Sequence, residues 1–561
     1  MDNTQKKTNT TIAMAVFFLG IFMGALDTGI ISPARGVIAS NLKVTQSASI
    51  WMVTIYTLVE AVSMPITGKL ADRMGRKRIY ITCIILFITG SILCWVSNVV
   101  ENYNLLLVAR AVQALGGGGV MPVATAYIGS SFPPEKRGTA LGFVGATYGI
   151  ATIIGPTLGT AILSIAGNNN WGYLFLINEP ISVIIIGLAL TLPENKDTSA
   201  LKKLDFTGAI VLSIMISSLM YALINLQFFD FVNSIKSVDV WPFLLIFIVA
   251  LPLFIFIEKK ASDPILNLNF FTNKQIVITL ILSFIVGSGL MGVVFIPQFG
   301  ENVLRIKSGT GGYIVTLFAV FTGVSAPLGG KLIDNYGVKK LLLAGFLCTV
   351  IGSSYQAFVT AKNPSFMNLA IGIAFMGLGM GFTMGTPINY LMMSLVKPSE
   401  VSIGQSTVSL FKSMGVAISP NLLVNFVSDA GQKMPVELAK VLPKLPNFGN
   451  SMSNKASTNF TMPSDLLDKL QTSDVTTIFS VIKEFVNTML TSVQATMANN
   501  PYVDFTKIKA DYLASLDDAR PLIENTFQST LNKGYANLFI GTTIIAFIGF
   551  ILSLMIRARK E

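Results

Sequence analysis

Residues 65–78 read PITGKLADRMGRKR, and residues 327–340 read PLGGKLIDNYGVKK. Pro65, Gly68, Lys69, Leu70, Asp72, Gly75 and Lys77 return in order as Pro327, Gly330, Lys331, Leu332, Asp334, Gly337 and Lys339. Each copy follows one long apolar run and precedes another. A helix–loop–helix phrase written twice inside a hydrophobic chain is the imprint of a membrane protein built from two related halves. The bland alternative is two similar basic turns between membrane helices, and it requires the matched order to recur by chance.

Composition names the solvent. Of 561 residues, 52% are hydrophobic and 12% charged, with mean hydropathy +0.64. Soluble domains carry about 25% charged residues, so most of this surface faces lipid. Forty Lys+Arg against 29 Asp+Glu give a formal charge of +11. The basic residues fall in short loops, where the positive-inside rule accounts for them better than nucleic acid does. Cys83, Cys94 and Cys348 lie in apolar runs without metal or CxxC spacing. No Walker motif occurs, and Gly116–Gly119 has no following GK[ST], so no nucleotide, cofactor or metal is expected. The chain has no histidine, which leaves proton chemistry near neutral pH to carboxylates or lysine.

A spanning helix needs about 20 mostly apolar residues. About fourteen such runs occur, near 12–39, 50–68, 79–98, 105–131, 138–166, 171–192, 205–228, 240–257, 275–299, 311–330, 340–360, 366–395, 402–427 and 535–556. The first is read as an uncleaved span, because no convincing cleavage site follows it. One set of ends and loops holds Lys6, Lys7, Lys69, Arg73, Arg76, Lys77, Arg78, Lys136, Arg137, Lys196, Lys202, Lys203, Lys259, Lys260, Lys339, Lys340, Lys397, Arg557, Arg559 and Lys560. The opposite short loops hold only Lys43, Lys236, Arg305, Lys307 and Lys362. The first set is expected in the cytoplasm, with both termini and both copies of the repeat.

The copies lie about eight spans apart, which six-helix halves do not explain unless a central pair is inserted. The expected plan is an N-terminal six-helix bundle at 1–198, a two-helix insertion at 199–262, five spans at 263–427 and the last span with its tail at 535–561. Residues 428–534 are a polar insert on the outer side. Within it Val475, Ile478, Ile482, Phe485, Met489 and Val493 recur at helical spacing, broken by Lys483, Glu484, Asn487 and Gln494. That pattern predicts an amphipathic helix in a mostly helical cap, against the alternative of an unstructured loop.

These residues resemble the fourteen-helix drug:proton antiporters of the major facilitator superfamily over nearly the whole chain except the insert. Gly68-Lys-Leu-Ala-Asp72-Arg73-Met-Gly75-Arg76-Lys77 is similar to the superfamily's loop 2–3 motif. Arg110-Ala-Val-Gln113-Ala-Leu-Gly116 resembles the helix 4 motif, with Ala114 where a glycine is usual. Gly145, Gly149, Gly155, Pro156 and Gly159 resemble the helix 5 motif that marks antiporters. Leu26-Asp27-Thr28, Trp171 to Pro180, and Glu258 through Asp263-Pro264 are similar to the branch's other signatures, with Gly172 and Glu179 as departures. The resemblance implies the major facilitator fold and alternating access in a cell (plasma or inner) membrane. The implied partners are small hydrophobic or cationic substrates, protons and the lipid bilayer.

Ionisable groups inside a bilayer are costly and so are functional candidates. Asp27, Glu60, Arg110, Glu179 and Lys412 sit within spans; Arg35 and Glu301 sit near span ends, where they can reach water. Desolvation and a neighbouring arginine act in opposite directions on a buried carboxylate, and their balance can bring it into the physiological range. Asp27 and Glu60 are the expected proton carriers, with Arg110 as fixed partner; the bland alternative is a static tie between helices. Asp27, Glu60, Glu179 and Lys412 are the substrate-binding candidates, although Glu179 can instead serve a local break at Asn178 and Pro180. Asp72, with Gly68, Arg73, Gly75, Arg76 and Asp334, is expected to form a latch at helix ends, against a purely topological role. Val338 replaces Arg76 in the second copy, so that copy is expected to contribute less. The helix 5 glycines allow close packing and, with Pro156, a kink.

Three functions compete: proton-coupled export of hydrophobic cations, export of a lipid or amphiphile with Lys412 meeting a head group, and a non-transporting receptor whose outer segment binds a ligand. The repeated latch argues against the receptor.

Overall fold

A computed structural model describes residues 3–44, 46–192, 205–227, 230–304, 312–384, 386–443, 478–496 and 505–557. Lys196, Lys202, Lys203, Arg305, Lys307, Val475, residues 444–477 and 497–504 of the outer insert and the side chains of Glu301 and Val493 lie outside the described residues.

The described chain is helical, with no strand among its residues. In chain order the long helices are α1 (Asn3–Asn41), α2 (Trp51–Met74), α3 (Arg76–Val99), α4 (Tyr103–Ser131), α5 (Pro134–Ala166), α6 (Asn178–Leu190), α7 (Phe206–Asn225) and α8 (Trp241–Lys260). They continue as α9 (Lys274–Val294), α10 (Gly312–Tyr336), α11 (Val338–Tyr355), α12 (Phe366–Thr383, resuming as Thr386–Leu395) and α13 (Val401–Val441). Beyond these come α14 (Ile478–Thr496), α15 (Phe505–Asp518) and α16 (Arg520–Leu554).

Eleven of the described helices are long and apolar enough to cross a membrane. The three other expected spans fall on α2, α9 and α13. Two of these carry intramembrane charge, Glu60 in α2 and Lys412 in α13, and α9 is apolar only over Lys274–Leu290. Lipid explains α8 best. It is apolar all round, yet only 17% of it is buried, an arrangement that water would not tolerate.

Each copy of the repeat turns at a glycine. Gly75 and Gly337 adopt φ of 103° and 83°, a region that side-chain-bearing residues rarely enter. The turn ends α2 and starts α3, and ends α10 and starts α11. In the N-terminal set, α1 packs on α4, α5 and α6, and α4 lies between α2 and α3. The Gly116–Gly119 tract makes that passage possible. A Cβ at Gly116 would lie 2.3 Å from the Cys83 carbonyl of α3, and one at Gly118 would lie 2.5 Å from the Glu60 carbonyl of α2. Small residues let helices approach where lipid offers no hydrophobic drive. In the C-terminal set, α9 packs on α13, α11 on α12 and α16, and α10 on α12.

The sets touch where α4 meets α13 and α5 meets α12, and are joined most extensively by two contacts, α2 with α13 and α10 with α5. They correspond under the repeat, since α2 and α10 each end in one copy of it. The pair α7–α8 leans on α2 and α13, with Trp51 stacked on Tyr221 at 5.6 Å between ring centres. The expected boundary near residue 198 falls outside the described residues.

The helices that flank the insert run on into it. α13 continues to Val441 instead of ending near 427, and α16 begins at Arg520 instead of near 535. Both extensions join α14 and α15 in a separate apolar core. Leu438, Ile478, Leu516, Ile523 and Phe527 are fully buried there, and Phe485 and Met489 pack against them. The amphipathic stripe of 478–490 is the buried face of α14.

Candidate functional site

Asp27 on α1 is 2% exposed and is held from three directions. Arg110 Nη1 donates to Oδ2 at 3.0 Å. Gln113 Nε2 and Asn178 Nδ2 donate to Oδ1 at 2.8 and 3.0 Å. Both amides also donate to Ser91 Oγ, at 2.9 and 3.2 Å. Arg110 itself is 2% exposed. Its guanidinium lies 4.1 Å from the Tyr56 ring centre and 5.7 Å from that of Phe175. The network ties α1, α3, α4 and α6 together. A buried ion pair is tolerable only when hydrogen bonds satisfy its remaining valences, as they do here.

Glu60 on α2 differs. Among the described residues no donor lies within hydrogen-bond distance of its carboxylate, and the side chain is only partly buried. Arg110, Asp27 and Lys412 lie within electrostatic reach of it. Lys412 comes from α13, in the other set, and its ammonium sits 4.5 Å above the Tyr148 ring of α5. Glu60, Tyr148 and Lys412 therefore lie within electrostatic reach of one another between the two sets, with the Asp27–Arg110 pair also in reach of Glu60. Glu179 is not part of either group. Its neighbour Asn178 is the one that reaches Asp27, while Glu179 Oε1 is buried without a partner. Arg35 is exposed.

The repeat end carries a matched pair of contacts. Asp72 accepts from the backbone N–H groups of Ser402 and Ile403, at 3.0 and 2.9 Å, in the first turn of α13. Arg76 lies 3.4 Å from Asp72 and donates to Ser402 Oγ at 3.0 Å and Ser130 Oγ at 2.5 Å. Asp334 on α10 accepts from the N–H groups of Gly138 and Thr139, at 2.9 and 3.0 Å, and from Thr139 Oγ1 at 2.7 Å, near the start of α5. Carboxylates are favoured at helix N-termini by unpaired N–H groups and the helix dipole. The glycines bring the helices into reach. A Cβ at Gly68 would meet the Ser402 carbonyl at 2.9 Å, and one at Gly330 would meet the Gly138 carbonyl at 2.4 Å. At the carboxylates the two copies are matched, and Arg76 is the extra element of the first. Arg73 reaches elsewhere, to Asp263 at 3.8 Å.

The α5 glycines divide by neighbour. A Cβ at Gly145 would lie 3.1 Å from the Met384 carbonyl, and one at Gly149 would lie 3.8 Å from Thr322, so both face the other set. Gly155 faces α1, where a Cβ would meet Gly29 Cα at 2.8 Å. Pro156 sits inside α5, and Gly159 is buried.

Sequence reasoning singled out Asp27, Arg110, Asp72 and Asp334 but not the groups that the structure places against them. Gln113 follows Arg110 by three positions and so shares its helix face, a usable signal. Asn178, Ser91 and Tyr148 carried no comparable signal.

An all-helical chain with lipid-facing spans, related halves and charge buried between them is a multi-pass membrane transporter. The profile of the Major Facilitator Superfamily matches residues 17–420, and the chain belongs to that family. It is 35% identical over 422 residues, 74% of this chain and 79% of the other, to the uncharacterized MFS-type transporter YfiU of Bacillus subtilis (strain 168). It is 29% identical to Multidrug resistance protein 3 of the same organism, over 76% of this chain and 83% of the other. The human organic anion transporter MFSD10 (TETRAN) has the same fold, with TM-score 0.54 and 13% identity over 74% of this chain and 93% of that one.

Proposed function

We propose that the protein is a proton-coupled antiporter that exports hydrophobic, cation-bearing compounds by alternating access. The carrying observation is that Glu60, Tyr148 and Lys412 lie within electrostatic reach of one another between the halves, with the saturated Asp27–Arg110 pair in reach of Glu60. A carboxylate and an aromatic face attract an organic cation. Glu60, without a hydrogen-bond donor among the described residues, is the group that exchanges a proton for substrate. Asp27 and Arg110 fix the electrostatic background against which it does so. The similarity to multidrug resistance proteins supports the substrate class. The Asp72 and Asp334 latches close the repeat end in one state and release it in the other. That end is cytoplasmic in this reading, with both termini beside it.

A second reading has one observation in its favour. The Lys412 ammonium meets an aromatic ring but no carboxylate within ion-pair distance among the described residues, so it can receive the anionic head of an amphiphile.

Purified protein in proteoliposomes, with an imposed pH gradient, tests both. The antiporter reading expects cationic dye to move against proton flux and Glu60→Gln to uncouple the two. Dye movement indifferent to the gradient overturns coupling. Movement of anionic amphiphiles alone overturns the cation assignment.

A further inference from the structure

The linker from α8 to α9 touches both partners of one latch. Glu258, 3% exposed at the end of α8, accepts from the backbone N–H groups of Ile265 and Leu266 at 3.1 and 3.3 Å. This folds residues 261–268 back on the helix end. Two side chains then leave the fold in different directions. Asp263 takes Lys69 at 2.5 Å and lies 3.8 Å from Arg73, with all three side chains about four-fifths buried. Asn267 Nδ2 donates to Glu400 Oε1 at 2.8 Å.

Those three targets frame the first latch. Lys69 and Arg73 flank Asp72 on α2, while Glu400 immediately precedes the Ser402 and Ile403 amides that Asp72 holds. Among the described residues the second latch has no such attachment. Lys331, the counterpart of Lys69, makes no ion pair among the described residues, and Asn335 stands where Arg73 would be.

We propose that residues 258–267 form a clasp on the first latch, with Asp263 and Glu258 as positioning residues. The central pair α7–α8 is then part of the gate and not a spacer between halves. The clasp favours the closed repeat end, because it holds α2 and the start of α13 at their bonding distance. Partly buried, charge-assisted contacts of this kind are stronger than exposed ion pairs. The inference rests on the alternating-access reading above, and the test separates the two.

Spin labels at Arg78→Cys and Lys340→Cys, one on each half at the repeat end, report the separation by pulsed electron resonance in full-length protein in nanodiscs. Asp263→Asn is expected to raise the open population about three- to thirtyfold, and Asp263→Glu to leave it near wild type. Asp263→Asn is expected to add little to Asp72→Asn, since both loosen one contact, and to add fully to Asp334→Asn. A shift with Asp72→Asn but none with Asp263→Asn overturns the clasp alone. Equal additivity with both latch variants also overturns it. No shift with either Asp72→Asn or Asp263→Asn overturns the latch and the clasp together. The conservative Asp263→Glu arm separates positioning from folding, because a misfolded protein would not be rescued by it.

Discussion

Asp334 holds the start of α5 as Asp72 holds the start of α13, each carboxylate accepting from two successive backbone N–H groups of the opposite half. The two contacts stand one repeat apart in the chain and one symmetry operation apart in space. Swinging the halves apart at this end strips both carboxylates of these bonds and leaves the first-turn N–H groups of Ser402 and Ile403 unpaired.

Both latch variants are therefore expected to matter. A hydrogen bond to a charged group contributes roughly 1.5–3 kcal/mol, equivalent to about ten- to a hundredfold in a two-state equilibrium. Asp72→Asn and Asp334→Asn should each shift the closed repeat end towards open by that order, within a few-fold of one another. Spin-label distances across the end measure it. A silent Asp334→Asn would leave the first copy as the sole latch.

Arg76→Val gives the first copy the residue that the second carries at the matching position, Val338. Loss of Arg76 removes the contacts to Asp72, Ser402 and Ser130 but leaves the carboxylate on the α13 amides. A shift of about three- to tenfold is expected in the same distance measurement, smaller than that of Asp72→Asn.

Asp27→Asn leaves Arg110 buried without its counter-charge. Removing one partner of a buried pair costs about 3–5 kcal/mol. The variant is expected to insert, to melt measurably lower than wild type in detergent, and to lose gradient-driven efflux. Arg110→Gln in the same background should recover melting temperature but not transport. Full efflux by Asp27→Asn would remove this pair from the transport cycle.

Lys412→Met removes the resident cation above Tyr148. Organic dications should then bind at least tenfold more tightly, as a like charge no longer opposes them, and any anionic amphiphile should bind more weakly. Competition against a fluorescent cation in detergent solution reads both. Unchanged dication affinity would place the substrate away from Lys412.

The orientation is checked by cysteine labelling in intact cells. Lys440→Cys, at the far end of α13, is expected to react with an impermeant maleimide from outside, and Lys397→Cys only after permeabilisation. The reverse pattern would invert the topology.

Much of this was legible in the chain. The repeat named the two halves, and Gly75 and Gly337 punctuate it because only a positive φ makes that turn. Asp27 and Arg110 were legible because charge in a bilayer is rarely idle. Their partners were not, since Asn178 and Ser91 are common polar residues whose meaning comes only from folding. The partners of Asp334 were hidden for a similar reason. Val338 advertised a missing arginine, but the acceptor strength lies in Asp334 and two backbone amides that no side-chain pattern encodes. The extent of α13 was hidden too, because its polar far section reads as loop until α14 and α15 cover its apolar face.

One rod links these parts. α13 begins at the first latch, carries Lys412 between the halves and ends beside Leu438 in the far bundle, about 60 Å of unbroken helix at 1.5 Å per residue. In the alternating-access reading proposed above, a tilt at its first turn carries the α14–α15 bundle at its tip, and an antibody fragment bound to that bundle is expected to slow transport without entering the substrate path.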